Sequence, residues 1–127
     1  MVPGEFNEES GHAAAIALLR REVRPRAVFA ANDMMAVGCM YAFKDAGLRI
    51  PRDIALAGFD DIPIARYLTP PLTTVHVRIA DLGRSALERL AARLDPDEPS
   101  TDLADTLDCE VVVRGSCGAD LTIASPA

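Results

Sequence analysis

Two pairs of neighbouring polar residues carry the chemistry this chain offers: Asn32-Asp33 and Asp60-Asp61. Each closes a short apolar run, Val28-Phe29-Ala30-Ala31 before the first and Ile54-Ala55-Leu56-Ala57-Gly58-Phe59 before the second. Runs of that length, bounded by polar residues, read as buried strands. In open α/β sheets, ligands bind outside the carboxyl ends of parallel strands. The four side chains are therefore predicted on one rim of one sheet, facing a cleft. Carboxylates and a carboxamide placed there suit the hydroxyls of a small polar molecule. The pattern reads as ligand sensing, not catalysis.

Catalytic arrangements are poorly supported. Asp60-Asp61 at a strand end could imitate a phosphoacceptor or Mg²⁺ site. Such a site needs further carboxylates and a nearby lysine, and the only lysine, Lys44, falls in an apolar helix. A Ser-His-Asp set would have to recruit His12 or His76, and no Gly-x-Ser-x-Gly motif supplies a nucleophile. His76 alternates with Val75 and Val77 on a predicted strand. Cys39, Cys109 and Cys117 are odd in number and widely spaced, which argues against a disulfide framework and for a reducing compartment. Cys39 reads as a small core residue. No Cys-x-x-Cys or His-x-x-x-His spacing occurs, so no metal site is predicted. No cofactor is called for.

The elements that position the rim can be read along the chain. At 127 residues the chain fits one domain and can bury about two-thirds of its unfolded surface. Asn7 caps a first helix, with Glu8 and Glu9 at the positive end of its dipole. Arg26 to Ala31 is a strand. A second helix runs from about Asp33 to Ala46, with Asp33 read as its cap and Gly47 as its C-terminal glycine. Ile54 to Gly58 is a second strand, residues 60 to 72 a proline-marked loop, and Thr73 to Val77 a third strand. A third helix covers Ile79 to Leu94. A solvated loop at residues 95–100 precedes a strand from Leu107 to Arg114. The tail from Gly115 has no strong pattern and is expected to fray. Strands alternating with helices predict a mostly parallel α/β sheet flanked by helices.

The second helix has no charge from Met34 to Phe43. A helix on a sheet normally keeps one polar face. Its even coat predicts a second buried face, either under a neighbouring helix or at a homodimer contact. Met34, Val37, Tyr41 and Lys44 form the expected outer stripe. Net charge is −6 and no basic run occurs, so nothing in the chain favours DNA. The start has neither the basic nor the apolar region of a signal peptide, and no run of 18 apolar residues could span a membrane. A cytoplasmic protein is expected.

Read in order, these segments resemble a known family. Ala30-Ala31-Asn32-Asp33-Met34-Met35-Ala36-Val37-Gly38 is similar to the "xAxNDxxAxG" segment of lactose-repressor/galactose-repressor-type regulators. Residues Ala46 to Ile54, then Gly58-Phe59-Asp60-Asp61, then Ala65 to Val75 resemble the segments that follow it. Gly4-Glu5-Phe6 with Glu8-Glu9-Ser10-Gly11 resembles "GDF-x-x-x-SG". The helix with Leu82-Gly83-Arg84 and the strand Leu107 to Arg114 fit the same order.

The resemblance implies a partial periplasmic-binding-protein-like (type I) domain. Residues 1–75 would belong to the second effector-binding subdomain, incomplete at its start. Residues 76–105 would be a crossover and helix of the first subdomain, and 106–127 a return strand and tail. A DNA-binding head and hinge are implied upstream, so DNA would be met only through a part not present here. Met1 to Phe6 would form an outer strand, separated from Arg26–Ala31 by a strand preceding this segment. The implied function is small-molecule effector binding and dimerisation in a sugar-responsive transcriptional regulator; the alternative is a periplasmic-type solute-binding protein for sugar transport. By the same resemblance Asp60 reaches effector hydroxyls or ring nitrogens, Asn32 faces the ligand, and Phe6 stacks on a bound sugar or base. Each has a plainer reading: a turn cap for Asp60, a helix cap for Asn32, core for Phe6. Asp61 is read as the cap of the following turn.

Overall fold

The computed structural model describes residues 1–94 and 106–121. The predicted loop at 95–100 falls outside them. The elements follow in the order α1 (Glu8–Leu19), β1 (Ala27–Phe29), α2 (Asp33–Asp45), β2 (Ala55–Asp60), a 3₁₀ turn (Pro63–Tyr67), β3 (Thr73–His76), α3 (Ile79–Arg93), β4 (Glu110–Val112) and a final 3₁₀ turn (Gly115–Cys117). The sheet order is β1-β2-β3-β4. The first three strands run parallel, and β4 is antiparallel to β3, with Val111 opposite Val75. This is the expected mostly parallel α/β sheet.

Local chemistry sets the helix ends. Asn7 Oδ1 accepts the Ser10 N–H at 2.9 Å and so starts α1. Asn32 does the same for α2, accepting the Met35 N–H at 2.9 Å. Gly47, at φ 73°, ends α2 as expected. The cap of α2 is thus Asn32 and not Asp33, because only the residue before the helix has the extended backbone that turns its oxygen onto the first turn.

The uniform apolar coat of α2 finds its second partner inside the chain. One side rests on β2; the other is crossed by α1 at backbone contact. A Cβ at Gly38 would lie 2.0 Å from Glu8 O, so only glycine permits the approach. Cys39 Sγ donates to Gly11 O at 3.3 Å across the same crossing. Burial pushes that thiol up to about 11, as befits a core residue. The core joins Ala15, Met35, Ala36, Phe43, Ile54 and Leu56 with Leu72. Among the predicted outer stripe, Met34 and Val37 are half-buried, while Lys44 and Tyr41 are exposed, Tyr41 to 66%. The Tyr41 ring leans on His12 with centroids 5.5 Å apart.

Three expectations need correction. Met1 to Phe6 is not a strand, since no strand among the described residues pairs with it. The residues after Gly115 do not fray at once. Ser116 is fully buried, donating to Leu56 O at 2.7 Å and accepting the Thr73 N–H at 2.8 Å. Periodicity could not show this, since one hydroxyl does the anchoring. The predicted strand Leu107 to Arg114 is reduced to Glu110–Val112, and its predicted apolar side, at Cys109, Val111 and Val113, is exposed.

β1 is the edge of the sheet. Ala30 N donates to Ala57 O at 2.8 Å and Arg26 O accepts from Ala55 N at 2.9 Å, so even-numbered residues turn their backbone groups towards β2. Ala27 and Phe29 therefore turn theirs outward. They face an apolar cavity of about 570 Å³ whose far wall is Met1 to Gly4 and Phe6. At the other end of the chain, none of the residues of α3 is buried, and Ile79, Leu82, Leu87 and Leu90 are all exposed.

Candidate functional site

The three parallel strands bring their carboxyl ends to one rim, as predicted. β1 leads into Asn32 and Asp33, β2 ends at Asp60 and runs into Asp61, and β3 ends at His76, which lies opposite Asp60 in the ladder.

Asp33 is the structural centre of the rim, a role its sequence position did not suggest. Its side chain is fully buried. Oδ1 accepts the Thr74 hydroxyl at 2.6 Å, and Oδ2 accepts the Ile62 N–H at 2.9 Å. One carboxylate thus ties the start of α2 to β3 and to the loop after β2. It also sits in the first turn of α2, where the helix dipole favours an anion.

Asp60 is different. It is half-buried at the end of β2, and its carboxylate takes no hydrogen bond or ion pair among the described residues. Desolvation, then the negative charge of Asp33, raises its pKa above the ordinary carboxylate value. A partly desolvated carboxylate without a donor is an acceptor waiting for one.

Asp61 does not cap the following turn. That turn is led by Ile62 with no side-chain cap. The Asp61 carboxylate instead accepts Arg114 Nη2 at 2.6 Å and contacts His76 Nδ1 at 3.1 Å. Burial opposes its ionisation, but Arg114 and then His76 outweigh that, and the pKa falls below the usual carboxylate range. Sequence reading set His76 aside as a strand residue and did not single out Arg114. Arg114 and Asp61 are 53 residues apart, too far for any local pattern to show.

Asn32 is the helix cap, and its Nδ2 donates to Phe6 O at 2.9 Å. Phe6 is 65% exposed, so it is not core. Its φ of 59° is unusual for an aromatic residue, and the segment is held by the Asn32 bond together with the bonds of Glu5 and Asn7 to Ser10. Asn32 and Asp60 thus lie at the same end of the sheet, and Phe6 is tied to Asn32, although Phe6 also lines the apolar cavity along the β1 edge, which Asn32 and Asp60 do not. Asn32 does not have the same freedom as Asp60, since both ends of its carboxamide are engaged. No group of three or more potential metal ligands occurs among the described residues.

Comparison with known proteins matches this architecture. A family model for the periplasmic binding protein-like domain covers residues 2–117. A lactose operon repressor from Rhizobium radiobacter is 44% identical over 108 residues, covering 85% of this chain and 94% of that protein. The chain belongs to the lactose-repressor/galactose-repressor family. The ribose operon repressor of Escherichia coli is 45% identical over 93 residues, which is 73% of this chain but only 28% of the repressor. Among solved structures, a family regulator from Enterococcus faecium with bound ribose superposes with a TM-score of 0.77 at 30% identity. That match covers 91% of this chain and 42% of the regulator. Within this family the chain thus corresponds to part of the effector-binding, periplasmic-binding-protein-like portion. It spans well under half the length of these last two relatives.

Proposed function

We propose that this chain supplies one wall of the effector cleft of a sugar-responsive transcriptional repressor, together with a dimerisation surface. The observation that carries the reading is the unpartnered Asp60 carboxylate at the strand-end rim that also carries Asn32, whose Nδ2 holds the Phe6 carbonyl. Asp60 accepts hydroxyl donors of the effector, Phe6 packs on the apolar face of its ring, and Asn32 holds Phe6 in place while keeping a lone pair at the cleft. The effector is a sugar or related polar metabolite. No residue is assigned a catalytic role. Because the lactose and ribose operon relatives are repressors, the solute-carrier alternative is not favoured.

In this reading residues 1–75 and 106–127 form the second subdomain. Residues 76–105 belong to the first, which accounts for α3 having no buried face. Effector binding shifts the population of subdomain orientations, and the DNA-binding part of the whole regulator reads that shift. The acidic chain itself has no DNA-facing role. The outer stripe of α2, Met34, Val37, Tyr41 and Lys44, forms the homodimer contact. Among the described residues no helix is long and apolar enough to cross a membrane, and a regulator of transcription works in the cytoplasm.

One wall alone leaves most of a ligand wet, so the isolated chain binds weakly. Amide NMR of the labelled chain with D-ribose and lactose tests this. Shifts confined to Phe6, Asn32 and the Asp60–Ile62 loop, saturating in the millimolar range, are expected. Calorimetry at micromolar concentration should be silent. No shift at the rim with either sugar, or shifts confined to another surface, would count against the site.

A further inference from the structure

Asp60 and Asp61 both hold positive φ, 108° and 53°. Residues with a side chain keep such angles only where their surroundings over-determine them. Three sets of contacts do so here. The Ile62 N–H is held by Asp33, and the Asp61 N–H donates to Thr74 Oγ1 at 3.3 Å. The third is the Asp61 carboxylate, gripped by Arg114 and His76.

Arg114 is unusually well anchored for a surface cation. Its Nη1 donates to Leu72 O at 2.8 Å and its backbone N–H to Thr73 Oγ1 at 2.8 Å, while Thr73 Oγ1 donates to Arg114 O at 3.1 Å. One arm of the guanidinium is thus bolted to the start of β3, and the other takes Asp61. Of two adjacent carboxylates on one strained loop, one is neutralised and the other has no partner among the described residues.

We propose that Arg114 is a positioning residue for effector recognition: by holding Asp61 against β3 it keeps the Asp60 carboxylate turned to the cleft and unpaired. The assignment rests on the effector reading above for what Asp60 contacts, but not for how Asp60 is held. Arg114 touches no ligand and acts through Asp61. A lysine would carry the charge but not the rigid fork that serves Asp61 and Leu72 O together. The charged and titratable groups around the pair are Asp33 from α2, His76 from β3 and Arg114 from beyond β4.

The test follows the carboxyl carbons of Asp60 and Asp61 by NMR as pH is varied, in the wild type, Arg114→Gln, Arg114→Lys and Asp61→Asn. In Arg114→Gln the Asp61 anion stands uncovered beside Asp60, whose midpoint rises by about half a pH unit or more. In Asp61→Asn that anion is gone, and the Asp60 midpoint falls. General loosening of the loop would move Asp60 the same way in both. Arg114→Lys restores part of the low Asp61 midpoint. D-ribose, titrated against the Asp60 signal, binds at least tenfold more weakly to Arg114→Gln and recovers in part with Arg114→Lys. An Asp60 midpoint unmoved in both variants, or moved in the same direction, overturns the proposal. If Arg114→Gln does not fold, the near-isosteric Asp61→Asn decides alone: an unmoved or raised Asp60 midpoint overturns it. If ribose leaves Asp60 untouched in the wild type while the opposed movements persist and the Asp60 backbone signals show its positive φ lost in Arg114→Gln, the effector reading fails and the positioning role stands; opposed movements with an unchanged Asp60 backbone are charge coupling alone and overturn it.

Discussion

The Asp33 carboxylate lies directly over Gly58, so close that a Cβ there would come within 2.2 Å of Oδ1. The bare backbone of β2 is what lets one buried acid reach both Thr74 and Ile62. Asp33→Ala leaves the Thr74 hydroxyl and the Ile62 N–H without their acceptor and should cost about 2–4 kcal/mol in a denaturant melt. Gly58→Ala should cost a similar ~1–3 kcal/mol by pushing that carboxylate away. The two losses should be less than additive in the double variant, since both remove the same contact. Full additivity would show that Gly58 and Asp33 matter for separate reasons.

Acid should loosen the chain within a defined window. Asp53 is held down to about 2 by Arg49, and Asp61 is held below its ordinary value despite burial, by Arg114 and His76. A carboxylate with a depressed folded pKa contributes stability above its unfolded value, near 4, and loses it as pH falls through the folded one. Stability should therefore decline between about pH 4 and pH 2. Asp60, raised in the folded state, works in the opposite sense and offsets part of the loss as it takes up a proton. Asp61→Asn should flatten the acid limb. An unchanged pH profile in that variant would show that Arg114 and Asp61 gain nothing from their charges.

The outer face of α2 should govern self-association. Met34 and Val37 are half-buried and Tyr41 is largely exposed, with α1 packed on the neighbouring face and touching the stripe through His12 against Tyr41. Sedimentation of the wild type should show a dimer that Val37→Glu dissociates. A monomeric wild type, or a dimer indifferent to the charge, removes the claim.

The free edge of β1 makes a further demand. Backbone groups of Ala27 and Phe29 face an apolar cavity of about 570 Å³ and not a strand. Unpaired strand edges and exposed apolar surface favour loose or aggregating states. The purified chain should melt with poor cooperativity and bind a hydrophobic dye strongly. A sharp two-state melt from a dispersed monomer would mean that the sheet needs no further strand.

Much of this was legible in the sequence because it is local. Asn7, Asn32 and Gly47 mark helix ends by their own backbone preferences, and abrupt polar endings of apolar runs located the rim. What escaped is non-local. The bonds from Asp61 to His76 and Arg114 span 15 and 53 residues, and that from Ser116 to Leu56 spans 60. Side chains that meet only after the sheet forms leave no periodic trace. The division of labour between Asn32 and Asp33 was also hidden. Both are capping residues by type, and only the extended backbone at Asn32 decides between them.

The central claim is that Asp60 is the group that reads the effector. Its most direct measurement compares D-ribose and lactose titrations of the wild type with Asp60→Ala and Asp60→Asn, followed by the amide signals of Phe6 and Asn32. A charged acceptor is worth about 1.5–3 kcal/mol in such a contact, so either substitution should weaken binding of the recognised sugar roughly tenfold or more. Asp60→Asn should fold intact, since the Asp60 side chain has no partner among the described residues and Asn tolerates its positive φ; Asp60→Ala is read only where its amide spectrum stays native. Equal affinity in the wild type and both variants would contradict the account.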